Sequence, residues 1–157
     1  MAHGTHDFVD DPRNASILID INGELVPRAQ ATVSVFDSGF ILGDGVWEGL
    51  RVHNGRCAFL GLHLDRLYEG AKALDMDLEV SPAELTARLE NVLKANRMHD
   101  GVHIRLMVSR GVKATPYQDP RVTITPATIV IIAEHKTPLP QTATRPMTLF
   151  TVHVRRG

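Results

Sequence analysis

The segment FILGDGVWEGLR, residues 40–51, places Gly43, Asp44 and Gly45 between apolar residues and then runs through Trp47 and Glu48 to Arg51. Its continuation, WEGLRVHNGRCAFL, carries Asn54-Gly55 between two short apolar runs, the signature of a two-residue hairpin turn. Strands are therefore predicted near residues 46–53 and 56–60. The spaced glycines do not make a nucleotide loop, because no Lys-Ser/Thr follows them and the next element is a strand, not a helix. They read either as a chain reversal built on unusual backbone angles or as the lip of a pocket walled elsewhere.

Upstream, ILIDINGELVPRA repeats the device with Asn22-Gly23 and predicts a hairpin over residues 17–27. Downstream the period changes. Leu64, Leu67, Ala71 and Leu74 fall at helical spacing, with Asp65, Glu69 and Lys72 left for water, so residues 62–75 read as a helix. Ser81-Pro82-Ala83-Glu84 then offers an N-cap serine, a proline at the first helical position and the glutamate of a capping box. Leu85, Leu89, Val92 and Leu93 stripe the helix that follows, to about residue 98. VHIRLMVS alternates as a strand, with Ile104, Leu106 and Val108 on one face and His103, Arg105 and Met107 on the other. RGVKATPYQDPRVTITP, with three prolines and no period, is a loop; ATIVIIAEH and MTLFTVHV are further strands. The predicted class is α+β, a mostly antiparallel sheet of six or seven strands with two helices on one face.

The 157 residues suit one domain, and 17 basic against 18 acidic side chains leave no basic field for a nucleic acid or an anionic membrane surface. A single cysteine, Cys57, allows no internal disulfide. MAHGTHDFVDDPRNAS holds no signal-like apolar run, and nowhere do the roughly 18 successive apolar residues of a spanning helix occur. The expectation is a soluble, cytoplasmic domain over residues 16–157 behind a polar, poorly ordered tail at 1–15. His3 and His6 in that tail are too sparse for a metal site.

Two arginines stand out as candidates for an anionic ligand. Arg66 in HLDRL lies beside the apolar stripe of its helix, where it either snorkels into solvent or offers a planar fork of donors to phosphate or carboxylate. Arg105 sits in mid-strand and requires either compensation or a wet cavity, unless its strand is a solvated edge. His103 beside it is weak evidence by itself. No Ser/His/Asp order, metal-spaced cluster or carboxylate pair stands out.

The order of the pieces is more telling: an ING hairpin, VSVFDSGFILGDGVWEGLRVHNG, HLDRL on a helix, then VHIRLMVSRG. Over residues 17–157 this resembles the N-terminal half of the class IV aminotransferases, the fold-type IV pyridoxal-phosphate enzymes. The resemblance implies pyridoxal 5'-phosphate as cofactor, with Arg66 on its phosphate, Trp47 and Phe40 lining the substrate pocket, and Arg105 at the active site as in the Y-I-R strand of the branched-chain enzymes. His103 stands where that motif has tyrosine. The arginine and histidine with which D-amino acid transaminases trap the substrate carboxylate are not matched, since Thr115 and Tyr117 lie near those positions. The resemblance further implies amino acid and 2-oxo acid substrates and a homodimer. Family members carry the lysine that bonds the cofactor in a second domain, and Lys72, Lys94, Lys113 and Lys136 match no such motif. The expectation is the N-terminal part of a longer transaminase, inactive alone, its glycine turn and Trp47 forming one wall of a pocket. Two rivals stay open: a lyase of the same fold, such as aminodeoxychorismate lyase, and a non-catalytic binding or dimerisation module.

Overall fold

The computed structural model describes residues 10–137 and 150–154. Two hairpins form where the Asn-Gly pairs demand them. β1 (Leu18–Ile21) turns into β2 (Glu24–Pro27) through Asn22 and Gly23, both at positive φ. β3 (Gly45–His53) turns into β4 (Arg56–Cys57) through Asn54 and Gly55 in the same way. β4 is shorter than expected, because Phe59 takes a left-handed conformation and starts a helix.

That helix, α2, covers Leu60–Ala73. α3, Pro82–Ala95, begins at the predicted capping box, with Ser81 and Glu84 satisfying each other's backbone N–H, and stops short of residue 98 at Asn96. A further short helix, α1 (Ser38–Leu42), occupies part of the segment read as a turn. Asp37 caps its start by accepting from the Gly39 N–H, and Gly43 ends it at φ 68°, a region that favours glycine.

β5 (Val102–Ser109) and β6 (Thr128–His135) complete, among the described residues, a six-stranded and wholly antiparallel sheet in the order β2-β1-β6-β5-β3-β4. β5 is interior, so its central arginine is not on an edge strand. The seventh strand does not form over residues 150–154, and residues 147–149 lie outside the described residues. Of the predicted loose tail, residues 1–9 also lie outside. Pro12–Asn14, by contrast, is a 3-10 turn tied down by Asn14, whose amide donates to the His135 carbonyl and whose side-chain oxygen accepts from the His135 N–H.

Alternation puts Leu50, Val52, Val102, Ile104, Leu106, Val108, Ile129, Ile131 and Ala133 on one face. Against it pack Leu64, Leu67 and Ala71 of α2 and Leu85, Leu89, Val92 and Leu93 of α3, which form one core with the strands. Both helices thus share a face, as expected. Among the described residues no helix is long and apolar enough to cross a membrane.

One row of that face is not wholly apolar. Register aligns Asp20, Ile131, Leu106 and Glu48 across β1, β6, β5 and β3. Both carboxylates are buried, and each receives an arginine from a helix: Arg88 of α3 on Asp20, Arg66 of α2 on Glu48. The Arg88 pair is two-pronged, Nε lying 3.3 Å from one Asp20 oxygen while a terminal nitrogen contacts the other. Removing one partner of such a pair strands a buried charge. Arg88→Leu is therefore expected to destabilise the fold by about 3–5 kcal/mol in urea melts, with much of the loss recovered when Asp20→Leu is added.

Candidate active site

β3 sends consecutive residues to opposite sides of the sheet, and the two sides have different chemistry. On the helix side, Glu48 is only 2 % exposed. Arg66 Nε donates to Glu48 Oε1 at 2.6 Å, and an Arg66 terminal amino group donates to Oε2. His63, one turn earlier on α2, sets Nδ1 2.8 Å from the same Oε2. A carboxylate only accepts, so Nδ1 is the donor and carries a proton, and Nε2 is not used in this contact. The Arg66 hydrogen bonds hold the Glu48 carboxyl below the ordinary glutamate range, burial opposes them, and His63 adds a smaller push downward.

The Arg66 side chain is nonetheless 71 % exposed, so its remaining N–H donors face water. Neither reading of this arginine was complete: it is not merely snorkelling, because one edge is bolted to a buried carboxylate.

On the open side of the sheet Trp47 is 60 % exposed, and the Arg105 guanidinium lies over its ring, 4.1 Å from the centroid. Arg105 is paired across the strands with Gly49, and a Cβ built there would lie 3.2 Å from His103 Nε2 and 3.8 Å from the Trp47 ring. A side chain at position 49 would crowd the place where these three residues meet. His103 faces Arg51 on one neighbouring strand and Glu134 on the other. Burial, then Arg51, Lys136 and Arg105, push its imidazole below the usual histidine range, which favours the neutral ring.

The structure therefore brings Trp47, Arg105 and His103 together and puts Arg66 on the opposite side of the same strand pair. Phe40 projects from α1 and is 71 % exposed.

The turn before β3 and the loop after β5 are fastened together. Arg110 Nε donates to Asp44 at 2.7 Å, and its terminal amino groups donate to the Asp75 and Leu74 carbonyls at the end of α2. Gly111 and Lys113 pair their backbones with Ser38 and Phe36, and the Ser109 hydroxyl donates to Asp37 at 2.9 Å. Lys113 is fully buried, its ammonium donating to the Asp119 carbonyl at 3.0 Å. Cys57 is no nucleophile, since burial and then Glu90 raise its thiol to about 11.

The family model for amino-transferase class IV matches residues 45–157, which takes in every one of these elements from β3 onward. The chain belongs to this family. The class IV aminotransferase chain is 41% identical over 128 residues to branched-chain-amino-acid aminotransferase-like protein 1 of Arabidopsis thaliana, covering 82% of itself but 23% of that protein. It is 39% identical over 106 residues to D-alanine aminotransferase of Listeria monocytogenes, covering 68% of itself and 35% of the relative. The structure of a T.th. branched-chain amino acid aminotransferase complexed with N-(5'-phosphopyridoxyl)-L-glutamate superposes with a TM-score of 0.67 at 30% identity, over 75% of this chain and 40% of that one. The class IV chain thus spans well under half the length of these relatives.

Of the functional geometry, the role of Glu48 escaped the sequence reading. Val46, Glu48, Leu50 and Val52 share a face at period two, and a carboxylate in that company demands a cation from the facing layer. Its depressed pKa fixes the sign of the acid response. The pair's contribution is complete above the ordinary glutamate range and is lost as pH falls through the lower folded value. Thermal melts should show Glu48→Gln less stable than the parent at neutral pH, with the gap closing in acid; a gap that widens in acid would contradict the assignment.

Proposed function

We propose that this chain is the N-terminal part of a pyridoxal-phosphate-dependent aminotransferase that moves an amino group between a branched-chain-like amino acid and a 2-oxo acid. The observation carrying the cofactor assignment is the Arg66 guanidinium. Two of its donors are fixed on a rigid, buried carboxylate and the rest are open to an anion, which fits a phosphate monoester. When bound, pyridoxal phosphate supplies an electron sink for the carbanion left by removal of a substrate α-proton.

The residues of this chain would supply grip and shape. Arg66 binds the phosphate. Trp47 walls the space for the substrate side chain, with Phe40 nearby in the sequence on α1, and neutral His103 offers a hydrogen bond where a charged ring would be repelled by Arg51 and Arg105. Arg105, stacked on Trp47 and without a carboxylate partner among the described residues, offers its donors to a substrate carboxylate. Its place in the H-I-R strand supports branched-chain over D-amino acid specificity, together with the family of the solved structure above. None of the four lysines is set up to move the proton. Lys113 is enclosed by its own loop, and the lysine for that role is assigned to a second domain of the longer protein.

A homodimer is part of the same reading. Val35, Phe40, Phe59 and Leu62 are all more than half exposed, which suits burial against further protein. The cytoplasmic assignment is supported by the single, unpaired cysteine.

Intact-mass measurement after incubation with pyridoxal phosphate and borohydride tests the proposal on the protein at its natural length. One cofactor adduct supports it, and no adduct overturns it. Arg66→Ala should weaken cofactor binding by about tenfold or more, as loss of a charged hydrogen bond does, measured by equilibrium dialysis. Trp47→Ala should reorder the preferred amino donors while the bound cofactor keeps its absorption spectrum; loss of the cofactor instead would make Trp47 a structural residue.

A further inference from the structure

An arginine aimed by a carboxylate gains direction and loses charge. Glu48 projects from β3, which is paired with β5 along eight residues, so its oxygens are fixed points. By taking Arg66 Nε and one terminal amino group, it leaves the outer donors of the planar fork in one orientation. Yet the Glu48–Arg66 pair is neutral as a unit, and a neutral unit is a poor counterion for a phosphate. Among the described residues, the only other ionisable group hydrogen-bonded to the pair is His63, on Oε2, which the Arg66 terminal amino group also contacts. We propose that Glu48 is the positioning residue for the phosphate grip of Arg66, and that His63 is its charge-balancing partner, taking up a proton when a phosphate monoester binds. This rests on the reading of Arg66 as the phosphate ligand.

The surroundings leave that task to His63. Towards α2, β5 and β6 present Val102, Ile104, Leu106 and Val108 with Ile129, Ile131 and Ala133, all apolar. β4 joins β3 only at Val52 and His53, away from Glu48. α3 turns Leu85, Leu89, Val92 and Leu93 to the core. On α2 itself, Asp65, Glu69 and Lys72 are not drawn into the core, and only Arg66 and His63 reach Glu48 among the described residues. With Nδ1–H already given to the carboxylate, the His63 ring takes its second proton on Nε2. The trio then changes from neutral to singly positive. The His63 side chain is a quarter exposed to solvent. By linkage, a ligand that favours the protonated ring is itself favoured by protonation to the same factor.

The test uses the protein at its natural length, with ring-labelled histidine followed by NMR across pH, with and without saturating pyridoxal 5'-phosphate, and with His63→Gln to assign the resonance. The expected result is an upward move of the His63 midpoint by about half a unit or more, a proton affinity roughly threefold higher, with Nδ1 remaining protonated throughout. In dialysis, Glu48→Gln should bind the cofactor about tenfold more weakly, and His63→Gln should lose the part of the parent's affinity that grows as the ring takes up its proton. An unmoved His63 midpoint overturns the inference even where Arg66→Ala abolishes binding, and so does cofactor affinity within about twofold of the parent in a folded Glu48→Gln protein. If Arg66→Ala binds the cofactor normally, the phosphate assignment itself fails. Should Glu48→Gln not fold, the histidine titration of the unsubstituted protein decides.

Discussion

Two carboxylates buried in one row of a sheet set the terms for the rest of this fold. Asp20 and Glu48 close the two ends of a line whose middle is Ile131 and Leu106, and neither can stay charged in that position without a cation brought to it. The two helices bring one each. Apolar packing alone would let α2 and α3 slide or rotate over a smooth face of valines and isoleucines. The two arginine forks instead fix each helix at one point along and across the strands. One bolt, Arg88 on Asp20, is largely shielded from water. The other, Arg66 on Glu48, has its outer half in solvent. The same device is therefore a shielded joint at one end of the row and, at the other, a joint with donors left open to solvent.

Period two along β3 then divides the chemistry. Trp47 and Glu48 are neighbours in the chain and yet belong to different sides of a sheet. The side of Glu48 carries the partly exposed arginine fork of Arg66, and the side of Trp47 carries an indole with an arginine stacked on it. The two sides of the sheet meet beyond the start of β3 and the end of β5. There the tie between Asp44, Arg110 and the last carbonyls of α2 holds the turn, the loop and the helix together. The glycine turn of the opening segment is thus a fixed corner of this region, braced from two directions.

Much of this was legible in the residues because local rules and tertiary structure agree. Asn22-Gly23 and Asn54-Gly55 force hairpins by backbone geometry alone, Ser81 with Glu84 caps a helix by reciprocal hydrogen bonds, and the alternation in VHIRLMVS survives because β5 is flanked on both edges. What was missed depends on contacts between distant segments. α1 is too short to show a period, and Asp37, which caps it, is held by Ser109 from across the chain. Nothing local indicates that Phe59 would turn left-handed and cut β4 to two residues. The pairing of Glu48 with His63 and Arg66 joins a strand to a helix, and its only trace in the sequence is a carboxylate among apolar neighbours of equal parity. Lys113 left no trace at all, since a loop that encloses an ammonium looks, residue by residue, like any other polar loop.

The strand order has a consequence for how the chain acquires its shape during synthesis. β1 lies between β2 and β6, so the β1–β2 hairpin finds its permanent neighbour only when roughly a hundred further residues have emerged. At ordinary translation speeds that is a wait on the order of ten seconds, during which one edge of the hairpin is unpaired and Asp20 has no sheet to be buried in. A charged side chain such as that of Asp20 disfavours the pairing of an open strand edge with another chain. The residue that pins the finished sheet is thus of a kind that keeps an unfinished edge from pairing.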